Sequence, residues 1–425
     1  MEKYLYEKLK LLTYAAYYDQ TCSSVEKVNK YPIYYSNVAY NNQVRKVGLL
    51  KLLYTNICKY NCSYCINRRE SNIPRAIFTP EEIAKITLEF YNKKLINGLF
   101  LSSAIYKSEE YTASKLLETI KLLREKYNFK GYIHVKIMPN ISKELINEIS
   151  KYASRVSINI EMPSEKSLKL FAPEKNKNSI IKPMKYIGEL FYFFKTERKK
   201  YKKAPKILPS GHTTQMIIGA SEEDDKQILT LSKYLYDKFH LHRVYFSAIR
   251  PIETSNPLIN KIKKPPIERE VVLYQADFLI RRYNFSVSDF FKTTNNLPQN
   301  IDPKLWYALE NIDLFPVEIT KADYDTLIRV PGIGKKTAKT IIKLRKNSYI
   351  DLNILSQIYF PLKKAIYFIT INGKYYGDFD FSNKEKIMEK FKLKIKNKYY
   401  PNYFKYNFKL KSQPLDEYLF TTEEI

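Results

Sequence analysis

The sequence predicts an α/β protein in which six strand-helix repeats form a parallel sheet or an open barrel, followed by a small helical domain. Three observations lead to this fold class. Six apolar runs of strand length recur before residue 255, stretches of helical length separate them, and a glycine-containing hairpin pattern lies near residue 330. Alternating strands and helices are typical of parallel α/β architectures.

The strands and helices can be placed in order along the chain. The apolar runs are 49–54, 98–102, 132–138, 156–161, 213–218 and 244–249. Helices are predicted at 79–94, 109–127 and 222–239. The first helix opens with Thr-Pro-Glu-Glu, which supplies an N-cap, a proline in the first turn and early acidic residues.

Composition narrows the class of protein. A chain of 425 residues is long enough for two or three domains, and its 44% hydrophobic content can fill a large core. No stretch approaches the about 20 apolar residues of a membrane span. The N-terminus, MEKYLYEKLK, is charged where a signal peptide would be apolar. With only four cysteines, three of them clustered, we expect a cytoplasmic protein.

The formal net charge of +28 favours a polyanionic partner such as nucleic acid. The chain is also rich in Lys, Asn, Ile and Tyr, as translation from an A+T-rich genome would produce. Charge alone therefore leaves nucleic-acid binding and mutational bias equally open.

The most informative motif is CKYNCSYC, which places Cys58, Cys62 and Cys65 directly after the first predicted strand. Three thiolates can hold three irons of a cubane cluster and leave the fourth iron without a protein ligand. A zinc site would recruit a fourth Cys or His close by, but the nearest histidine is His134. In barrels, chemistry gathers on loops at the carboxyl ends of strands. Cys22 stands apart and is expected to be a small buried side chain, the alternative being a radical-quenching thiol.

With Tyr64 immediately before the last cysteine, the motif resembles the cluster loop of the radical S-adenosylmethionine (SAM) superfamily. The resemblance implies a partial (β/α)6 barrel in which SAM chelates the open iron of a [4Fe-4S] cluster through its amino and carboxylate groups. It also implies that an electron donor such as flavodoxin or ferredoxin reduces the cluster, and that a 5′-deoxyadenosyl radical abstracts hydrogen from the substrate.

The ends of strands two and four provide candidate cofactor residues. Ser102 and Ser103 stand where the superfamily pattern has a Gly-Gly-Glu-like segment that meets the SAM amino group, so the glutamate is missing here. Ordinary strand-end serines are the alternative. Asn159 and Glu161 are expected to alternate onto one face of strand four and to hold ribose hydroxyls or the methionyl moiety.

Strands five and six add further candidates. QMIIGASEE matches the superfamily's adenine-side G-x-I-x-G-x-x-E pattern at Ile217 and Gly219, but Gln215 replaces the first glycine. Arg250, at the mouth of strand six, is a candidate for the SAM carboxylate or for a substrate phosphate, with an ordinary surface arginine as the alternative.

A second motif, LIRVPGIGKKTA at 327–338, resembles a helix-hairpin-helix module. Its candidate nucleic-acid-binding residues are Gly332, Ile333, Gly334, Lys335 and Lys336. Glycines let the backbone approach a phosphate, the N–H groups at the start of the second helix form an anion nest, and lysines add charge. Such hairpins hold the DNA backbone without reading sequence, although some serve only as structural or protein-contact modules.

Two basic segments contain aromatic residues. KTERKKYKKAPK spans 195–206, and the tail at 383–411 interleaves lysine with Phe and Tyr. Such mixtures suit stacked nucleotides. A solvated lysine face with the rings turned to the core is the favoured interpretation.

From the Cys22 segment to about residue 370, the chain resembles a family of DNA modification or repair radical SAM proteins with a C-terminal helix-hairpin-helix. Its members are linked with a uracil-DNA-glycosylase-like partner. The expected division is an N-terminal extension at 1–44, the radical SAM barrel at 45–255, a connecting helical segment at 256–314, the hairpin domain at 315–372 and a basic aromatic tail at 373–425.

The predicted function is a radical SAM enzyme that modifies or repairs a nucleotide in DNA. A target inside a duplex would have to leave the stack to reach the barrel. Two alternatives stay open. One is a tRNA- or other RNA-modifying radical SAM enzyme, and the other is a non-catalytic iron–sulfur DNA-binding scaffold.

Overall fold

The computed structural model describes residues 3–16, 23–28, 31–40, 43–357, 362–378 and 383–392. The described residues form two compact units, one of 3–222 with 234–265 and one of 223–233 with 266–392. Cys22 and all of the tail beyond residue 392 lie outside the described residues.

The first unit is built on one eight-stranded sheet whose strands follow each other in chain order. Its strands are β1 (Ser23–Val28), β2 (Tyr31–Tyr40), β3 (Gln43–Leu53), β4 (Gly98–Ser102), β5 (Tyr132–Lys136), β6 (Arg155–Ser157), β7 (His212–Ile218) and β8 (Arg243–Ala248). The six strands from β3 to β8 are parallel, as predicted. The antiparallel pair β1 and β2, which extends the sheet beyond β3, was not predicted.

Most helices up to residue 260 connect the parallel strands. They are α1 (Lys3–Ala16), α2 (Pro80–Asn92), α3 (Glu109–Lys121), α4 (Lys143–Tyr152), α5 (Glu165–Phe171), α6 (Lys177–Lys200), α7 (Asp225–Phe239) and α8 (Pro257–Asn260). The helices α2 to α7 are the connections, whereas α1 precedes the sheet and α8 follows it. A π-helical turn, Leu122–Lys126, continues α3. The predicted start of α2 is confirmed, because Thr79 and Glu82 form a complete capping box ahead of Pro80.

The parallel strands curl into a half-barrel. Every residue of β4 and of β7 is buried, as expected for strands covered on both faces. Neighbouring strands lie about 4.8 Å apart, so the outer strands of a flat six-stranded sheet would be separated by about 24 Å. Leu53 of β3 and Ser247 of β8 nevertheless line the same cleft. The curl brings the carboxyl ends of all six strands around one space.

The fourth parallel strand is shorter than predicted. It ends at Ser157, and Glu161 has a left-handed backbone with a φ of 66°. Such a backbone interrupts the pleat, so the expected alternation of Asn159 and Glu161 along a strand is wrong. Glu161 instead makes an isolated bridge to Met216, with its carbonyl accepting from the backbone N–H of Ile217 at 2.6 Å.

The second unit is mainly helical. Its helices are α9 (Ile267–Tyr283), α10 (Pro303–Glu310), α11 (Tyr324–Leu327), α12 (Lys335–Asn347), α13 (Leu352–Gln357), α14 (Leu362–Ala365) and α15 (Lys384–Lys390), and the first turns of α7 also belong to this unit. A small sheet of β9 (Val317–Glu318), β10 (Ile369–Ile371) and β11 (Lys374–Tyr375) joins them. The sequence did not predict this sheet. Among the described residues, the helices are too short or too polar to cross a membrane.

Candidate active site

A single cleft lies at the carboxyl ends of the six parallel strands, and we call it the barrel cleft. Its empty space is about 1210 Å³, counting the part that is open to solvent. Its lining includes ten of the predicted site residues: Cys58, Cys62, Tyr64, Cys65, Ser102, Ser103, Asn159, Glu161, Ile217 and Arg250. Gly219 is not among the lining residues; its φ of 79° marks a turn directly after β7.

The three cysteines lie on the loop between β3 and α2, with their thiols unpaired. Cys62 is buried, whereas Cys58 and Cys65 are half-buried at the cleft wall. Burial raises the pKa of Cys62 to about 12 and that of Cys65 to about 11. Because thiolates are the ligands for iron, metal binding at this loop has to release protons.

The cysteine loop is held in shape by Arg75, a residue that sequence analysis did not single out. Its guanidinium is buried and donates to backbone carbonyls along the loop, including those of Asn56 at 2.5 Å, Arg68 at 2.7 Å and Ser71 at 2.8 Å. A guanidinium presents five donors in a fixed geometry, so one side chain can bind several turns of backbone. Arg75 therefore connects several segments of the cysteine loop.

A buried ion pair stands beside the cysteines. Lys175 Nζ lies 2.6 Å from Glu161 Oε1, and the two side chains are only 12% and 9% exposed. The same nitrogen approaches the Tyr64 hydroxyl at 3.5 Å. Burial acts to lower the pKa of Lys175, but Glu161 and Cys62 more than offset it, so the net pKa is raised. Lys175 was missed in the sequence because it follows no strand and belongs to no recognised pattern.

The charged side chains of the barrel cleft are mostly cationic. Lys136, Lys175 and Arg250 line it, and Glu161, its carboxylate among the described lining residues, is paired with Lys175. Lys136 and Arg250 are the remaining cationic excess, which faces the three cysteines that become thiolates when they bind iron. Since a cleft with low-dielectric walls focuses the field of its charges, this excess favours an anionic group in the ligand.

One polar atom of the cleft wall has no hydrogen-bond partner. Asn67 is 8% exposed, and its Oδ1 is buried without a donor. Asn67 lines the cleft, and its backbone N–H donates to Cys65, which favours the thiolate form of that residue. Because a buried unpaired acceptor is costly, Asn67 Oδ1 fits a cleft that receives a hydrogen-bond donor from a ligand.

Among the described residues, no three His, Cys, Asp or Glu side chains converge on a point where they could hold one metal ion. A cubane cluster does not require such convergence, because each thiolate binds a different iron.

The hairpin motif lies in the second unit. Gly332 has a φ of 88°, and Gly334 is the N-cap residue of α12. Ile333 is fully buried, whereas Lys335 and Lys336 are exposed in the first turn of the helix. This arrangement leaves the first N–H groups of α12 beside two lysines, as a phosphate contact requires.

A further lysine, Lys304, supports the hairpin. Its ammonium donates to the Ile333 carbonyl and lies 5.3 Å from the centre of the Tyr283 ring. Lys335 Nζ lies at the same distance from that ring. Burial lowers the pKa of Lys304 to about 7.

Comparison with known proteins identifies part of the first unit. Residues 52–196 match the family model of the radical SAM superfamily. The FeFe-hydrogenase maturase HydG from Carboxydothermus hydrogenoformans is 18% identical, with a TM-score of 0.41 over 55% of this chain and 51% of that one. The cobalamin-dependent SAM radical enzyme OxsB with aqua-cobalamin bound is 14% identical, with a TM-score of 0.32 over 70% of this chain and 45% of that one.

The chain thus spans about half the length of these solved structures. At such TM-scores the two likenesses add nothing to the family match. No curated protein matches the chain. The family match includes the last two residues of β3, the whole cysteine loop and the strands β4 to β6, and it defines the cofactors as a [4Fe-4S] cluster and SAM. Residues 52–196 of this chain are a radical SAM superfamily domain.

Proposed function

We propose that the chain is a radical SAM enzyme that modifies or repairs a nucleotide within nucleic acid, DNA in preference to RNA. The choice of a nucleic-acid substrate depends on the charge of the barrel cleft. Three basic side chains and one carboxylate line this cleft. The net charge of +28 and the exposed lysines of the hairpin support the same choice.

Within this proposal, Cys58, Cys62 and Cys65 hold three irons of the cluster. Bound SAM and the reduced cluster supply one-electron cleavage of a carbon–sulfur bond and abstraction of a hydrogen atom. Glu161, oriented by Lys175, presents a carboxylate to the hydroxyl or ammonium groups of SAM. Asn67 accepts a hydrogen bond from the same ligand.

The cations of the cleft have a separate role. Arg250 can form paired hydrogen bonds to a phosphate or a carboxylate, and Lys136 adds a point charge. In the second unit, the hairpin binds a phosphate of the same nucleic acid. An electron donor such as flavodoxin or ferredoxin and a uracil-DNA-glycosylase-like protein are the proposed partners.

The cluster assignment is tested by single alanine variants of Cys58, Cys62 and Cys65. Each should lose the iron–sulfur absorbance and all SAM cleavage, because each thiolate holds one iron. The matched control is Cys22→Ala, which should keep the cluster. Iron content decides the outcome. A Cys22 variant without a cluster, or a triple alanine variant with a full one, would overturn the assignment.

The substrate is tested by the product 5′-deoxyadenosine under anaerobic reducing conditions with SAM. Cognate DNA should raise its formation above the slow basal rate, because a radical formed beside a held C–H bond reacts by proximity. Deuterium should pass from labelled DNA into the product, and a nucleoside mass profile of the DNA would identify the change.

Three other outcomes have defined meanings. Stimulation by RNA but not by DNA would establish the RNA-modifying alternative. If the protein binds a cluster but never cleaves SAM, the non-catalytic iron–sulfur scaffold is the remaining alternative. Stimulation only by free nucleotides or peptides would refute the nucleic-acid proposal.

A further inference from the structure

The C-terminal turns of α6 expose aromatic rings to solvent. Tyr192 is 53% exposed, Phe193 is 57% exposed and Tyr201, which follows the helix, is 63% exposed. The expectation that aromatic rings of the basic segment at 195–206 turn to the core is therefore wrong for Tyr201. Large exposed rings grouped on one element are unusual on a surface that meets only water.

Lysines alternate with these rings on the same side of the helix. Tyr192, Lys195 and Lys199 are spaced three and four residues apart, so they form one column along the helix. Phe193 and Lys200 lie in the adjacent column, about 100° around the axis. We call the surface formed by Tyr192, Phe193, Lys195, Lys199, Lys200 and Tyr201 the α6 terminal surface.

The surface is held firmly by the first unit. The Tyr192 ring stacks on His240 at a centroid distance of 4.3 Å and an angle of 12°, which leaves its other face open. Nearby, Gly188 packs so closely that a Cβ there would lie 2.1 Å from the Phe239 carbonyl oxygen. The rings are thus presented on a rigid helix and need little ordering when they bind a partner.

Charge selects the kind of partner. The segment at 195–206 contains seven Lys and Arg residues and one Glu, a net charge of +6. A membrane-surface helix separates its charged face from its apolar face, whereas Lys195 and Lys199 share one column of α6 with Tyr192. Rings interleaved with cations suit unpaired bases, which stack while their phosphates meet the lysines.

We propose that the α6 terminal surface is a second nucleic-acid contact that binds a single-stranded segment of the substrate. The inference rests on the nucleic-acid substrate proposed above and adds a site away from the barrel cleft. Lys195 follows the first residue of α6 by 18 positions, or about 27 Å along the helix axis. The α6 terminal surface therefore contacts flanking nucleotides and takes no part in the chemistry.

The test is fluorescence anisotropy of the full chain, with its cluster reconstituted, on a labelled single-stranded oligothymidylate at several salt concentrations. The first variant combines Lys195→Gln, Lys199→Gln and Lys200→Gln. It should lower the slope of log affinity against log salt by about 2, since each phosphate contact on a single strand contributes about 0.7.

A matched control removes equal charge elsewhere in the same unit. Lys85→Gln, Lys93→Gln and Lys130→Gln alter three exposed lysines that lie outside this surface. This triple variant should keep the wild-type slope. A second test variant, Phe193→Ala with Tyr201→Ala, should weaken binding at least about five-fold with the slope unchanged, because stacking is independent of salt contacts. Circular dichroism establishes that each variant folds.

The inference is refuted if the α6 lysine variant and its control give the same slope. It is also refuted if the surface binds anionic phospholipid vesicles while oligonucleotide affinity is unaffected by every α6 variant. Oligonucleotides that bind through α6 but fail to stimulate 5′-deoxyadenosine formation would refute the proposed function and leave this inference standing. If DNA stimulates 5′-deoxyadenosine formation but the α6 variants bind oligonucleotides with wild-type affinity, this inference is refuted and the proposed function stands.

Discussion

Removing one partner of the buried Glu161–Lys175 pair should destabilise the first unit strongly. In Lys175→Met the Glu161 carboxylate, 9% exposed in the native protein, loses the ammonium that lies 2.6 Å away. An uncompensated buried charge costs about 3–5 kcal/mol, whereas the pair itself gains little over a well-packed apolar pair. Lys175→Met should therefore lower the free energy of unfolding by about 3–5 kcal/mol.

The double variant Glu161→Gln with Lys175→Met separates the buried charge from lost packing. Its loss in free energy of unfolding should be smaller, by at least about 2 kcal/mol, than the summed losses of the two single variants. The reason is that the double variant leaves neither charge buried without its partner. The assay is urea unfolding followed by circular dichroism under anaerobic conditions, with the m-value checked between variants.

An exposed ion pair serves as the comparison. Lys169 and Glu165 lie 3.5 Å apart on α5, with side chains 74% and 49% exposed. Lys169→Met should change stability by no more than about 0.5 kcal/mol, because water screens that pair. If Lys175→Met has as small an effect as Lys169→Met, or if the two single variants are additive, the reasoning about the buried pair is wrong.

Three further predictions follow from other parts of the molecule. Lys335→Ala with Lys336→Ala should lower the salt slope of duplex binding by about one to two units without changing SAM binding; an unaltered slope would leave the hairpin a structural module. Gly188→Ala should destabilise by about 1–3 kcal/mol in urea unfolding, because the new methyl group meets the Phe239 carbonyl; unchanged stability would contradict that close packing. Burial lowers the pKa of His212 to about 4, below the unfolded value of about 6.5. The unfolded chain therefore binds more protons between these values, and this group alone should lower stability by about 2 kcal/mol from pH 7.5 to pH 5. Buried His134, whose pKa is also lowered, adds to the decrease in the wild-type protein. That decrease should shrink in His212→Asn, and an equal decrease in both proteins would refute the assignment.

The sequence predicted the parallel sheet well because burial determines both where the strands lie and where the apolar runs occur. Strands covered on both faces must be continuously apolar, so each run was visible, although the fourth strand proved shorter than its run. The antiparallel pair β1 and β2 was missed, because short mixed sequences such as SSVEKV lack a clear alternation. The cysteines were recognisable because all three lie within eight residues.

The rest of the candidate site depends on contacts that no local pattern encodes. Lys175 meets Glu161 only because the chain after β6 turns back across the mouth of the barrel. The left-handed backbone of Glu161 was not predictable, since glutamate rarely adopts a positive φ. Arg75 was equally inconspicuous, because one arginine ten residues beyond the last cysteine resembles any other surface arginine in the sequence.

The hydrogen bonds of Arg75 affect how the cysteine loop responds when oxygen destroys the cluster. Solvent-accessible clusters are damaged by oxygen, and a loop that owed its shape to iron would unfold with each loss. Here the buried guanidinium also holds the backbone around the cysteines, so iron is not the only group that supports the loop. We expect the apoprotein to resist proteolysis at this loop and to accept a replacement cluster without refolding.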